Sequence, residues 1–284
     1  MDRLKLVAAD IDATLCGRKV GTLGPITKQA LIDLHEQGVL LGIASGRPIW
    51  EGVKEHFSEW NLGFQFDFLI GMNGSEVMDT NTGETNHYYS LSKESIKEIM
   101  ELMQPMDCNA FVYRDGYMLF TRYDEEVVNS HNRHHDDYKI SDNLADFWSE
   151  ETAKVLFYTG TTEKRDEVLS YARQHLTNAY TCFATAPWIV EFQDPRINKG
   201  IALAKYCEAK NIDLKDTMAF GYEENDRGLL ETADCGVCLL NGSEEIKKIS
   251  DAITEYDADN DGVGHYIYSH ILNNINIRSF QDKC

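Results

Sequence analysis

Leu4-Lys5-Leu6-Val7-Ala8-Ala9-Asp10-Ile11-Asp12-Ala13-Thr14-Leu15, near the start of the chain, is a short apolar run that ends in two carboxylates two residues apart. The run predicts a strand over 4–10. A helical stripe follows, with Ile26, Ala30, Leu31 and Leu34 on one face and Gly38 as the stop. Val39-Leu40-Leu41-Gly42-Ile43-Ala44 is apolar without alternation, which suits a parallel strand covered on both faces. It ends in Ser45-Gly46-Arg47-Pro48. A second helix is expected to carry Ile49, Trp50, Val53, Phe57 and Trp60, and a third strand to run over 66–70 into Gly71-Met72-Asn73-Gly74. Residues 1–74 thus read β-α-β-α-β. That is an open, Rossmann-like parallel sheet, whose ligands bind at the carboxyl ends of the strands.

The middle of the chain has another grain. Phe111-Val112-Tyr113 and Tyr117-Met118-Leu119-Phe120 flank Arg114-Asp115-Gly116, a hairpin signal. Helical patterns follow Ser92 and Thr162, and strands are expected over 154–158, 179–184 and 188–192. The alternation then returns with a helix from Lys199, a strand over 217–221, a helix from Asp226 and a strand over 235–239. A further helix follows Ser243, and a last one covers 264–273. The fold class is therefore α/β with an inserted α+β domain. The expected division is 1–84 and 190–284 for the core and 85–189 for the insertion.

Four strand ends carry polar groups that packing does not require. Asp10 and Asp12 point the same way if their strand continues. They repel unless a cation such as Mg²⁺ lies between them, which leaves one carboxylate able to attack phosphorus. A solvated turn would also use such a pair. Ser45, with the amides of Gly46 and Arg47 after it, suits a phosphate oxygen, although Ser-Gly is also ordinary turn chemistry. Asn198 reads as an N-cap, which places Lys199 in the first helical turn, facing the positive end of the helix dipole. That placement makes sense if an anion sits between them; otherwise the lysine reaches into water. Gly221-Tyr222-Glu223-Glu224-Asn225-Asp226 joins a strand to a helix, where acidic residues also serve as caps.

Length and charge narrow the partners. The 284 residues, 43% of them hydrophobic, are enough for about two packed domains. A net charge of −20 argues against nucleic acid and against anionic membranes, while one local cationic pocket still suffices for a small anion. Seven scattered cysteines, the lack of a secretory signal and the lack of any long apolar run lead to the expectation of a soluble cytoplasmic protein.

Three further patterns are set aside. Asp257-x-Asp259-x-Asp261-Gly262 begins like a Ca²⁺ loop, but position twelve is Tyr268 where that loop needs a bidentate Glu, so it reads as a solvated turn. His131, His134, His135, Asp136 and Asp137 read as polar surface, because spacing dictates no third ligand. Cys235-Gly236-Val237-Cys238 lies in an expected strand, so its thiols face opposite sides and read as buried packing.

Taken in order, Asp10-Ile11-Asp12-Ala13-Thr14, Ser45-Gly46-Arg47-Pro48, Met72-Asn73-Gly74, Asn198-Lys199-Gly200, Asn225-Asp226 and the tail from Leu240-Asn241 to Asp261-Gly262-Val263 resemble the haloacid dehalogenase superfamily. Within it the chain looks most like the Cof-like sugar-phosphate phosphatases, which carry a large α/β cap. The resemblance implies Asp10 as nucleophile and Asp12 as the acid that protonates the leaving alcohol and then activates water. It implies Ser45 and Lys199 on the phosphoryl oxygens, Mg²⁺ at Asp10, the Asp12 carbonyl and Asp226, and Gly46, Arg47, Asn73 and Asn225 as substrate-side residues. The implied activity is Mg²⁺-dependent hydrolysis of a small phosphorylated metabolite through an aspartyl-phosphate. A mutase or transferase, or a weakened phosphometabolite-binding protein, would use the same framework. Two positions depart from the pattern: Ala13 stands where the family has Gly, and Tyr222 stands where it has a metal-binding Asp.

Overall fold

The apolar run near the start of the chain forms β1 (Leu6–Ala9), buried at every residue. The computed structural model describes residues 4–19, 22–49, 59–134 and 137–272. α1 (Pro25–Glu36) starts with Pro at its first turn, where a missing N–H costs nothing, and buries Thr27, Ala30, Leu31 and Leu34. β2 (Leu40–Ala44) and β3 (Phe68–Gly71) follow, both almost wholly buried. Of the expected second helix, residues 50–58 lie outside the described residues; Ile49 and Trp60 are both in the core.

β4 (Glu76–Asp79) and β5 (Glu84–His87) extend the sheet beyond β3, with β4 antiparallel to it. The sheet is therefore parallel-rich and mixed, not wholly parallel. Only Val77 of these eight residues is buried, so no hydrophobic alternation announces the pair.

The chain then builds a second sheet. β6 (Asn109–Arg114) and β7 (Tyr117–Phe120) pair antiparallel around Asp115-Gly116, where Gly116 takes a φ of +76° that glycine adopts at no Cβ cost. β8 (Asp137–Ile140), β9 (Lys154–Tyr158), β10 (Thr181–Ala186) and β11 (Ile189–Gln193) complete six strands in the order β10-β11-β9-β6-β7-β8. α2 (Lys93–Met103) and α4 (Thr162–Arg173) cover one face, burying Ile96, Ile99, Met100 and Val168 with Val112, Val155 and Phe192. α3 (Glu125–His134) supplies Val127 to a separate cluster with Phe111, Phe120 and Leu156.

From α5 (Lys199–Lys210) the alternation resumes through β12 (Thr217–Gly221), α6 (Arg227–Thr232), β13 (Cys235–Cys238), α7 (Glu244–Ile249), β14 (Ala252–Ile253) and α8 (Gly262–Ile267). The first sheet runs β14-β13-β12-β1-β2-β3-β4-β5. β2 lies on one side of β1 and β12 on the other, both parallel to it, so the strand order reverses at β1. That reversal is where an open α/β sheet opens a crevice at its carboxyl edge.

Among the described residues, one compact unit comprises the chain before His87 and from Asn198 onward; the other is His87–Ile197. The expected boundary at 189/190 would cut β11, which belongs to the six-stranded sheet. The chain leaves that unit through Asp194-Pro195-Arg196, where Pro195 cannot continue a central strand. No helix of the described residues is long and apolar enough to cross a membrane.

Candidate active site

Asp10 follows β1 directly, and its amide donates to the Phe220 carbonyl of β12 at 3.0 Å. The strand does not continue through Asp12. Residues 11–15 fold into a tight turn, closed by the Cys16 amide on the Ile11 carbonyl (2.9 Å) and the Ala13 amide on the Cys16 carbonyl (2.8 Å). Asp10 is therefore buried, while the Asp12 side chain is 56% exposed. Ala13 sits at φ +57°, a left-handed conformation that costs a residue with a Cβ about 1–2 kcal/mol.

Asn198 caps α5, its Oδ1 accepting from the Gly200 amide at 2.7 Å. Lys199 is thereby aimed inward and is completely buried. Its Nζ donates to Asp10 Oδ1 at 2.8 Å and to Asp226 Oδ1 at 2.6 Å. The anions that its place at a helix N-terminus calls for are these two carboxylates. Burial alone would depress the ammonium, but the two carboxylates outweigh it and push the lysine's pKa up.

One ammonium cannot neutralise two carboxylates. Burial, with Asp226 and Asp12 nearby, raises the Asp10 carboxyl to about 7 against the pull of Lys199. Thr14 Oγ1 donates to its other oxygen at 3.3 Å. The second oxygen of Asp226 accepts from the Tyr222 and Glu223 amides at 2.8 and 3.2 Å, so both its oxygens are engaged within the protein.

The remaining candidates gather along the same strand ends. Ser45 is buried after β2, its amide on the Ile70 carbonyl and its Oγ accepting from the Arg47 amide at 3.1 Å. Gly46 lies half-buried between them. The Arg47 guanidinium places Nη2 at 2.6 and 2.7 Å from the two oxygens of Asp12. Asn73, buried at φ +56°, sends its amide to the Ser45 carbonyl, and its Oδ1 faces Asn225 Nδ2 at 3.4 Å.

Two partnerships were not legible in the sequence. Arg18 Nη2 donates to the Tyr222 hydroxyl at 3.2 Å, with its guanidinium 5.4 Å from the ring centroid. Asn241 Nδ2 donates to the Ala13 carbonyl at 2.9 Å. Both pair residues more than 200 positions apart, beyond any local pattern.

Toward a divalent cation this chain offers an incomplete set. The excess negative charge at Asp10 suits a cation, and Mg²⁺ is commonly held by one or two carboxylates plus water and substrate phosphate. Asp10 is one such carboxylate, and the resemblance implies the Asp12 carbonyl beside it. Tyr222 cannot add to it as an anion, because burial first, and Asp10 next, push its phenol up to about 12 despite Arg18. Among the described residues no group of three or more Asp, Glu, His or Cys is arranged to hold a metal.

The patterns set aside resolve as follows. Cys235 and Cys238 are free thiols, as are the other described cysteines. His131 packs edge-on against Tyr138, Asp137 is exposed in β8, and His135 and Asp136 lie outside the described residues. In the 257–262 turn the half-buried Asp259 and Asp261 accept the backbone amides of Lys19 and Thr27, a role that spacing alone does not show.

The chain is similar to known proteins over nearly its whole length. Residues 7–267 match a family model described as haloacid dehalogenase-like hydrolase. A protein of Streptococcus pyogenes serotype M6 is 30% identical over 281 residues, 95% of this chain and 99% of its own. A 5-amino-6-(5-phospho-D-ribitylamino)uracil phosphatase of Bacillus subtilis is 24% identical over 92% of this chain and 96% of its own. The solved structure of a haloacid dehalogenase-like hydrolase from Bacteroides thetaiotaomicron superposes with a TM-score of 0.80 at 24% identity, covering 94% of this chain and 99% of that one.

Proposed function

This chain belongs to the haloacid dehalogenase-like hydrolases, and from that premise we propose that it hydrolyses a small phosphorylated metabolite through an acyl phosphate on Asp10. The observation that carries the reading is the buried Asp10–Lys199–Asp226 group at the strand-order reversal. A buried carboxylate beside a cation, where this sheet places ligands, supports Asp10 as the nucleophile.

In this reading an Asp10 oxygen attacks phosphorus and the bond from phosphorus to the substrate alcohol breaks. Asp12 gives the departing oxygen its proton. Asp12 then takes a proton from a water that attacks the phosphorus of the aspartyl-phosphate, releasing inorganic phosphate and the Asp10 carboxylate. Arg47 orients Asp12 through the paired contacts described above. Lys199 and Ser45 hold the phosphoryl oxygens, with Gly46, Asn73 and Asn225 on the substrate side. Mg²⁺, held by Asp10, the Asp12 carbonyl and water, would draw charge from the phosphoryl group.

Sugar phosphates come first among candidate substrates on the resemblance. The B. subtilis relative's name, a phosphorylated ribityl compound, supports a small polyol phosphate. The charge of −20 supports a small-molecule partner over nucleic acid or membrane, and the free thiols support a reducing cytoplasm. Hydrolysis of p-nitrophenyl phosphate and of a panel of sugar phosphates, with and without Mg²⁺, tests the proposal. No turnover of any of them would overturn it.

Tyr222 favours a second reading, a phosphometabolite-binding protein with weakened chemistry. The two separate on one variant. Tyr222→Asp supplies an anionic oxygen at the strand end, and Mg²⁺ affinity measured by calorimetry is expected to rise about 5- to 150-fold, or roughly 1–3 kcal/mol after desolvation. The initial-rate curve against Mg²⁺ shifts to lower concentration in parallel. Unchanged or weaker Mg²⁺ binding would show that Tyr222 does not stand in a ligand position.

A further inference from the structure

The Ala13 backbone is held where an L-residue rarely rests. A strained φ persists only when its surroundings over-determine it. The turn's own bonds fix Ala13 from one side, through its amide on Cys16. From the other side comes Asn241, just after β13. Its Nδ2 donates to the Ala13 carbonyl at 2.9 Å, and its Oδ1 accepts the Ala258 amide at 2.9 Å. Asn241 is exposed, yet both ends of its amide are used, so it ties the turn after Asp12 to the 257–262 turn.

That second turn grips the same segment at two more points. Asp259 Oδ1 accepts the Lys19 amide and Asp261 Oδ1 accepts the Thr27 amide, each at 2.8 Å. α1 has no side-chain cap of its own, since Gly24 is its N-cap, so Asp261 caps it from 234 residues away. The fit is close: a Cβ on Gly17 would stand 2.3 Å from Asp259 Oδ1, and one on Gly24 would stand 2.1 Å from Asp261 Oδ1. The carboxylates that spaced like a Ca²⁺ loop thus spend themselves on backbone N–H groups.

We propose that Asn241 is a positioning residue for phosphoryl transfer, holding the Asp10–Cys16 turn in its strained shape through the Ala13 carbonyl, with the 257–262 turn as its anchor. The proposal rests on the reading of Asp10 and Asp12 as the reacting carboxylates. A shift of about an ångström in such groups costs on the order of 100-fold in rate.

The test is Asn241→Asp, which keeps an acceptor for the Ala258 amide but faces the Ala13 carbonyl with an acceptor. With p-nitrophenyl phosphate, kcat is expected to fall about 10- to 100-fold while KM stays within about threefold, because Ser45 and Lys199 are untouched. The same substitution in an Ala13→Gly background is expected to cost about threefold or less, because glycine adopts a positive φ without help. An equal loss in both backgrounds, or a kcat within twofold of wild type, would overturn the proposal. Should the wild-type protein turn over no phosphate ester, the functional reading fails by itself. Amide hydrogen exchange over residues 12–19 then decides the positioning role: faster exchange in Asn241→Asp supports it, and unchanged exchange overturns it.

Discussion

Asp10→Asn is expected to lose p-nitrophenyl phosphate hydrolysis by about 10³-fold or more, and at the same time to melt higher than the wild-type protein at pH 8. The loss follows because an amide cannot form the acyl phosphate. The gain in stability follows from charge. With Asp10 ionised, two buried carboxylates share one ammonium; with Asn in its place, Lys199 and Asp226 balance. Asp10 holds its proton up to about pH 7 in the fold, against 3.8 ordinarily, so the folded state binds more protons than the unfolded state between those values. Stability therefore falls as pH rises from about 4 to about 7 and is level above that. Thermal melts of the metal-free protein should show Asp10→Asn roughly 2–6 °C above wild type at pH 8 and close to it at pH 5. A variant that melts below wild type at pH 8 would contradict the assignment of residual charge to Asp10.

Lys199→Met carries the second large effect, and in the opposite direction. It removes the one cation that, among the described residues, bonds to Asp10 and Asp226, and leaves both carboxylates buried. Breaking a buried pair by removing one partner costs about 3–5 kcal/mol. For a domain of this size that is roughly 6–20 °C in melting temperature. Activity should vanish with it. The double variant Lys199→Met/Asp226→Asn, with one carboxylate fewer to neutralise, is expected to recover part of the melting temperature and none of the turnover. Lys199→Met that melts like wild type would mean that these carboxylates are not buried as described.

The legible parts of this fold are those where a local pattern meets a single physical requirement. Thr217–Gly221 reads as a strand because an apolar run ends abruptly in polar residues, and β12 has those bounds. Asp115-Gly116 reads as a hairpin because few residues take a positive φ cheaply. β5 did not read at all, since a polar edge strand carries no hydrophobic period. The 189/190 boundary misplaced β11 because a strand's partners are not written in its own residues; Pro195 was the usable signal. Within the site, Asp10, Ser45 and Asp226 stood out because each follows a strand of one sheet, and Lys199 because Asn198 before it reads as a helix N-cap. Arg18, Asn241 and the inward turn of Asp259 and Asp261 did not, because each depends on a partner 200 or more residues distant. The exposure of Asp12 was missed for a nearer reason: the strand stops at Ala9, so alternation no longer governs the next carboxylate.

Trapping the covalent intermediate bears most directly on the central claim. An acyl phosphate is reduced by borohydride to the alcohol, so quenching p-nitrophenyl phosphate turnover with borohydride and sequencing the peptides by mass spectrometry identifies the carboxylate that carried phosphorus. The account predicts homoserine at position 10, dependent on substrate and absent from Asp10→Asn. Substrate turnover with no reduction at position 10, or with reduction at Asp12 or Asp226 instead, would contradict it.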